Sequence, residues 1–130
     1  FVYFYLRSNQ GYAVVGQMTN TTMSFGTPVS MNSNGNIKFP KVAFDSNTNK
    51  VLFAFQDKAQ SEQGTAVVGT VDPADNSISF GSEARFTGNN GASNVGLSFD
   101  SNVNKFVISF KDSTNSGYKC ELWYGGCICF

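Results

Sequence analysis

Two acidic residues and their polar neighbours recur in this chain at a fixed spacing, and they are the groups best placed to do chemistry. Asp45-Ser46-Asn47-Thr48-Asn49 returns as Asp100-Ser101-Asn102-Val103-Asn104, and Phe55-Gln56-Asp57 returns as Phe110-Lys111-Asp112. The spacing Asp-x-Asn-x-Asn supplies the first oxygen donors of a calcium loop. Calcium takes about six to eight oxygen ligands, and such a loop turns sharply on a Gly at its sixth position. Here Lys50 and Lys105 stand at that position, and Phe53 and Ile108 sit where a closing carboxylate would help. Both segments therefore read as Asx-rich hairpin turns whose side chains bond their own backbone, with no metal expected there.

Asp57 and Asp112 close an apolar run at the same point of each copy. One role for such a residue is to accept backbone N–H groups of the loop that follows. The other is to face a ligand. The loops that would share its rim are rich in amides: Asn34 and Asn36 before one copy, Asn89 and Asn90 before the next. Amides, hydroxyls and a carboxylate suit sugar hydroxyls, so Asn34, Asn36, Asp57, Asn89, Asn90 and Asp112 form the candidate ligand-binding rim. Asp45, Asn47, Asp72 and Asp75 would lie on the opposite rim and are expected to be inert.

Catalysis finds little support. The chain has no His, so no Ser-His-Asp or Cys-His arrangement can form within it. A carboxylate pair for glycoside hydrolysis is an asymmetric site, whereas Asp57 and Asp112 repeat with the chain. Cys120, Cys127 and Cys129 are too few for a structural zinc site, which wants about four ligands. No catalytic residue and no cofactor is expected.

The elements that position these residues follow from the repeat itself. Phe25 to Asp57 comes back 55 residues later as Phe80 to Asp112, with 11 of 33 positions identical. Within the better preserved copy, four short β-runs are separated by turn chemistry: Ile37 to Phe44, Lys50 to Gln56, Gly64 to Val71 and Ser77 to Phe80. In the second run Val51, Phe53 and Phe55 alternate with Leu52 and Ala54, so both faces are apolar. Such a strand belongs to a sheet sandwiched between two others. Upstream, Val2 to Leu6 aligns with Val51 to Phe55, Gly11 to Gly16 with Gly64 to Gly69, and Met23 to Gly26 with Ile78 to Gly81. Downstream, Val95 to Phe99 and Lys105 to Lys111 begin a third copy, with Gly117 onward in the place of its third strand. No apolar spacing of helical period is sustained.

A four-stranded antiparallel unit that cannot bury both faces alone must stack on its copies. The expected fold is all-β, a β-propeller-like fragment of four-stranded blades: a partial blade over 1–35, a complete one over 36–90, and a partial third over 91–130 with a divergent Cys-containing tail. Propellers close with about four to eight blades. About 2.5 are counted here, so the ring would need further blades of a parent chain or other copies. The chain opens on Phe1, in mid-repeat, and reads as part of something longer.

Composition narrows the partners. Nine Lys plus Arg balance nine Asp plus Glu, which gives no basic surface for nucleic acid or anionic membrane. Thirteen Phe among 130 residues mark a folded chain rather than a polar disordered one. No apolar run approaches the ~20 residues of a membrane helix.

Gly64-Thr65-Ala66-Val67-Val68-Gly69-Thr70-Val71, then Ser77-Ile78-Ser79-Phe80-Gly81-Ser82, then Phe-Asp-Ser-Asn-x-Asn-Lys, resembles the tandem repeat of long virion or tail-associated proteins of marine phages and of related bacterial surface proteins. The resemblance runs from Val2 to about Gly117. It implies a non-enzymatic propeller repeat module of a larger virion or cell-surface protein, acting as scaffold or binding host glycan or protein. The alternative is the noncatalytic propeller portion of a carbohydrate-active enzyme. From Tyr118 the sequence departs from this pattern, as a frame-altered or truncated terminus or a capping element would.

Overall fold

The computed structural model describes residues 1–31, 35–114 and 117–124, with 120–124 described as backbone. Asn32, Asn34, Cys127 and Cys129 lie outside the described residues, as does the side chain of Cys120. The chain is all-β, in three antiparallel sheets, none of them closed. Sheet 1 contains β1 (Val2–Arg7), β2 (Gln10–Thr19), β3 (Thr22–Phe25) and β4 (Val29–Ser30). Sheet 2 contains β5 (Ile37–Asp45), β6 (Lys50–Asp57), β7 (Gln63–Asp72), β8 (Ser77–Phe80) and β9 (Ala84–Arg85). Sheet 3 contains β10 (Ala92–Asp100), β11 (Lys105–Asp112) and β12 (Tyr118–Tyr124). β1 to β3, β5 to β8 and β10 to β12 pair in order as meanders, and β4 and β9 pair back onto β2 and β7.

Turn chemistry fixes the meander. Asp45 Oδ1 accepts the Asn47 N–H at 2.9 Å, and Asp100 Oδ1 accepts the Asn102 N–H at 2.9 Å. Asn49 and Asn104 then adopt left-handed φ of 54° and 53°, which Asn tolerates better than most residues. The repeat extends to positions with no identity. β5 and β10 each carry a bulge, between Lys38 and Lys41 and between Ser93 and Gly96, with φ of 51° at both Phe39 and Asn94.

Sheet 2 is sandwiched, as the two-sided apolar pattern of β6 predicts. Val51, Phe53, Phe55 and Val67 pack with Ala13, Val15, Met31 and Ile37 in the core between sheets 1 and 2. Leu52, Ala54 and Ala66 pack with Phe86, Phe106, Ile108 and Phe110 in the core between sheets 2 and 3.

Two expectations change. The outermost run is longer than Ser77 to Phe80: it breaks at Gly81 and resumes as β9, just as β3 breaks at Gly26 and resumes as β4, and both pieces pair with the same strand. Behind each break a large apolar residue plugs the core, Met31 in one copy and Phe86 in the next. The Phe86 ring closes directly on Gly64, where a Cβ would come within 2.3 Å of it. The second change is one of register. Ala13 pairs with Phe4, and its counterpart Ala66 pairs with Ala54. Phe1 to Arg7 therefore matches Val51 to Asp57, one residue off the alignment drawn from sequence. A one-residue slip exchanges the faces of a strand. Val2 and Phe4 turn inward onto sheet 2, and Tyr3 and Tyr5 take the places of Phe53 and Phe55.

The described part of the divergent tail continues the sheet. Tyr118 to Tyr124 pairs with β11 along its whole length.

Candidate functional site

Asp57 ends β6, where the chain leaves the sheet for a short 3-10 turn over Lys58–Gln60. Its Oδ1 caps that turn by accepting the Ala59 N–H at 2.9 Å. The side chain is fully buried, and Oδ2 has no hydrogen-bond partner. Beside it Asn36, with a left-handed φ of 62°, accepts the Lys58 N–H on its carbonyl at 3.1 Å and leaves its side chain exposed. Lys58 and Glu62 form a solvent-exposed ion pair across the same loop at 3.3 Å. Such a pair contributes little to stability.

Asp112 ends β11 in the same way, with Oδ1 accepting the Thr114 N–H at 2.9 Å. It too is buried. Its Oδ2 lies 2.8 Å from Lys119 Nζ and accepts a longer bond from Asn90 Nδ2 at 3.3 Å. Asn89 next to it is exposed.

The structure thus brings Asn36 to Asp57 through the backbone and Asn90 to Asp112 through the side chain. Asn34 lies outside the described residues. Both carboxylates face the protein interior and do what a strand-end Asp does for its own loop, so neither is offered to a ligand in solvent. Among the described members of the set, Asn36 and Asn89 are the exposed ones.

On the opposite rim every carboxylate is engaged by its own turn. Asp45 also accepts the Thr48 hydroxyl on Oδ2, Asp72 accepts the Ala74 N–H at 2.9 Å, and Asp75 accepts the Ser77 N–H at 2.9 Å. Hydrogen bonds from the Ser77 side chain and backbone hold the Asp75 carboxyl below its ordinary range. Asn47 Nδ2 donates to Asn104 Oδ1 at 2.7 Å, so this rim ties sheet 2 to sheet 3. Among the described residues no group of three or more His, Cys, Asp or Glu is placed to hold a metal ion.

Two features escape a reading of the sequence. A cleft of about 600 Å³ opens between the outer strands of sheets 1 and 2, walled by Gln10, Ser30, Phe80 and Glu83. Gln10 Nε2 donates to Ser30 Oγ there at 2.8 Å. The outward face of sheet 1 carries three tyrosines in a row: Tyr3 and Tyr5 stack at 6.1 Å, and Tyr5 and Tyr12 at 5.6 Å. Only the corrected register would have placed them together. Among known protein families, curated proteins and solved structures, none matches the chain.

Proposed function

We propose that this chain is a non-enzymatic, β-propeller-like repeat module of a larger virion or cell-surface protein, and that its work is to stack. The observation that carries this reading is the contrast between equivalent faces. Phe53 and Phe55 are buried against sheet 1, and Ile108 and Phe110 against sheet 2. Their counterparts Tyr3 and Tyr5 face away from the molecule, with Tyr3 56% exposed. A face built to the plan of two covered ones serves as a joint. Further blades of the same parent chain, or other copies, would cover it and close a ring. Burial of Asp57 and Asp112 in capping roles favours scaffold over ligand binding.

The joint is testable by sedimentation velocity. The chain is expected to self-associate as its concentration rises, and Tyr3→Glu with Tyr5→Glu to sediment as a folded monomer. A wild-type chain that stays monomeric at every concentration would remove the stacking role. Host-glycan binding is the second reading, and the exposed amides of Asn36 and Asn89 on one rim favour it. A glycan array is expected to show binding lost on Asn36→Ala with Asn89→Ala; signal that survives both places the ligand elsewhere, with the cleft beside Ser30 the next candidate.

A further inference from the structure

Asp57 and Asp112 hold the same place in consecutive sheets, yet their charges are met differently. In sheet 3 the ammonium of Lys119 lies 2.8 Å from Asp112 Oδ2. Lys119 pairs across the sheet with Phe110, and the residue that pairs with Phe55, the counterpart of Phe110, is Thr65. Sheet 2 therefore carries a hydroxyl where sheet 3 carries a cation.

That hydroxyl is one of three oxygens of sheet 2 buried without a hydrogen-bond partner: Asp57 Oδ2, Gln63 Oε1 and Thr65 Oγ1. The residues are 0%, 6% and 2% exposed. Asp57 pairs directly with Gln63, and Phe55 with Thr65, so all three side chains leave one face of the sheet. Directly opposed residues have Cβ atoms about 4.5–5.5 Å apart, and diagonal neighbours lie about 7–8 Å apart, which puts the three within reach of one shared ion. That face is closed over by sheet 1. Ile37, cross-strand from Asp57, belongs to the same core as Ala13 and Met31.

A buried carboxylate needs a counter-charge or donors, because desolvation removes what water supplied. Oxygens alone, one of them anionic, are the donor set that hard cations take. One carboxylate brings one negative charge, and in sheet 3 the equivalent charge is met by one ammonium. We propose that Asp57, Gln63 and Thr65 bind a monovalent alkali cation, sodium or potassium, between sheets 1 and 2, and that this ion does in sheet 2 what Lys119 does in sheet 3.

An ion that binds only the folded chain raises its stability by mass action. Thermal unfolding of the full chain, followed by circular dichroism in equal concentrations of sodium, potassium and N-methyl-D-glucamine chloride, separates this from general screening and shows which ion is taken. Tm is expected to be higher in one alkali salt than in the glucamine salt by about 3 °C or more. Thr65→Lys, which rebuilds the sheet 3 arrangement, and Asp57→Asn, which removes the charge, are each expected to abolish that difference. Equal Tm in all three salts would overturn the proposal and assign the oxygens to a water or to an internal hydrogen bond of Gln63. A cation effect that persists in Asp57→Asn would overturn it equally. If the variants fail to fold, wild-type crystals soaked in rubidium or thallium(I) decide the matter: anomalous density in contact with Asp57 Oδ2 supports the site, and its absence there refutes it.

Discussion

At the scale of single residues, position in the sheet decides role more strongly than chemical type does. Asp45, Asp57, Asp75 and Asp112 all accept a backbone N–H two residues onward, yet only Asp57 and Asp112 do so at the buried end of a central strand. The Asx turns were legible in the sequence because they are local. The burial of Asp57 was not, because it depends on a sheet packed across it from the other end of the domain. Phe55 was legible too, since a large side chain on a strand with two apolar faces has nowhere wet to point. It is fully buried and packs with Met31 and Val67 in the core between sheets 1 and 2. Phe55→Ala is expected to destabilise the chain by about 3–5 kcal/mol, read from urea unfolding with an unchanged m-value. A loss below about 1 kcal/mol would mean that the site is not closed.

At the scale of elements, the repeat gave strand order and turns, while register escaped it by one residue. The error has a physical origin. Val2-Tyr3-Phe4-Tyr5-Leu6 is apolar or aromatic on both faces, so sequence identity cannot choose between two alignments that differ by one. Only the pairing of Phe4 with Ala13 chooses. The bulges of β5 and β10 were hidden for the opposite reason, because backbone conformation repeats where side chains do not. Phe39 holds a left-handed φ of 51° that suits Asn94 in the equivalent bulge far better than it suits a bulky side chain. Phe39 is also 43% exposed, so little burial is at stake. Phe39→Asn is accordingly expected to stabilise the chain by roughly 0.5–1 kcal/mol, measured as a raised urea midpoint. A loss of stability would show that the ring of Phe39 contributes contacts outweighing the strain.

At the scale of the whole molecule, three sheets stand face to face, and the middle one packs an apolar core on each side. Among the described residues neither core reaches the outer faces of sheets 1 and 3, and Tyr3, Tyr5 and Tyr12 line the first of them. That the chain's own sheets pack on one another was foreseeable from a unit that repeats and is apolar on both faces. Which side of β1 turns inward was not, since it turned on the register of that strand. Native-state hydrogen exchange tests this arrangement most directly, because β2, β6 and β11 are each paired on both edges and differ in how many faces are covered. Local opening costs most where burial is greatest. At a concentration where the chain is monomeric, the amides of Val51 to Phe55 in β6 are expected to exchange slowest, well behind those of Tyr12 to Val15 in β2 and Phe106 to Phe110 in β11. Exchange from β2 or β11 as slow as from β6, or from β6 as fast as from either, would contradict a sandwiched middle sheet.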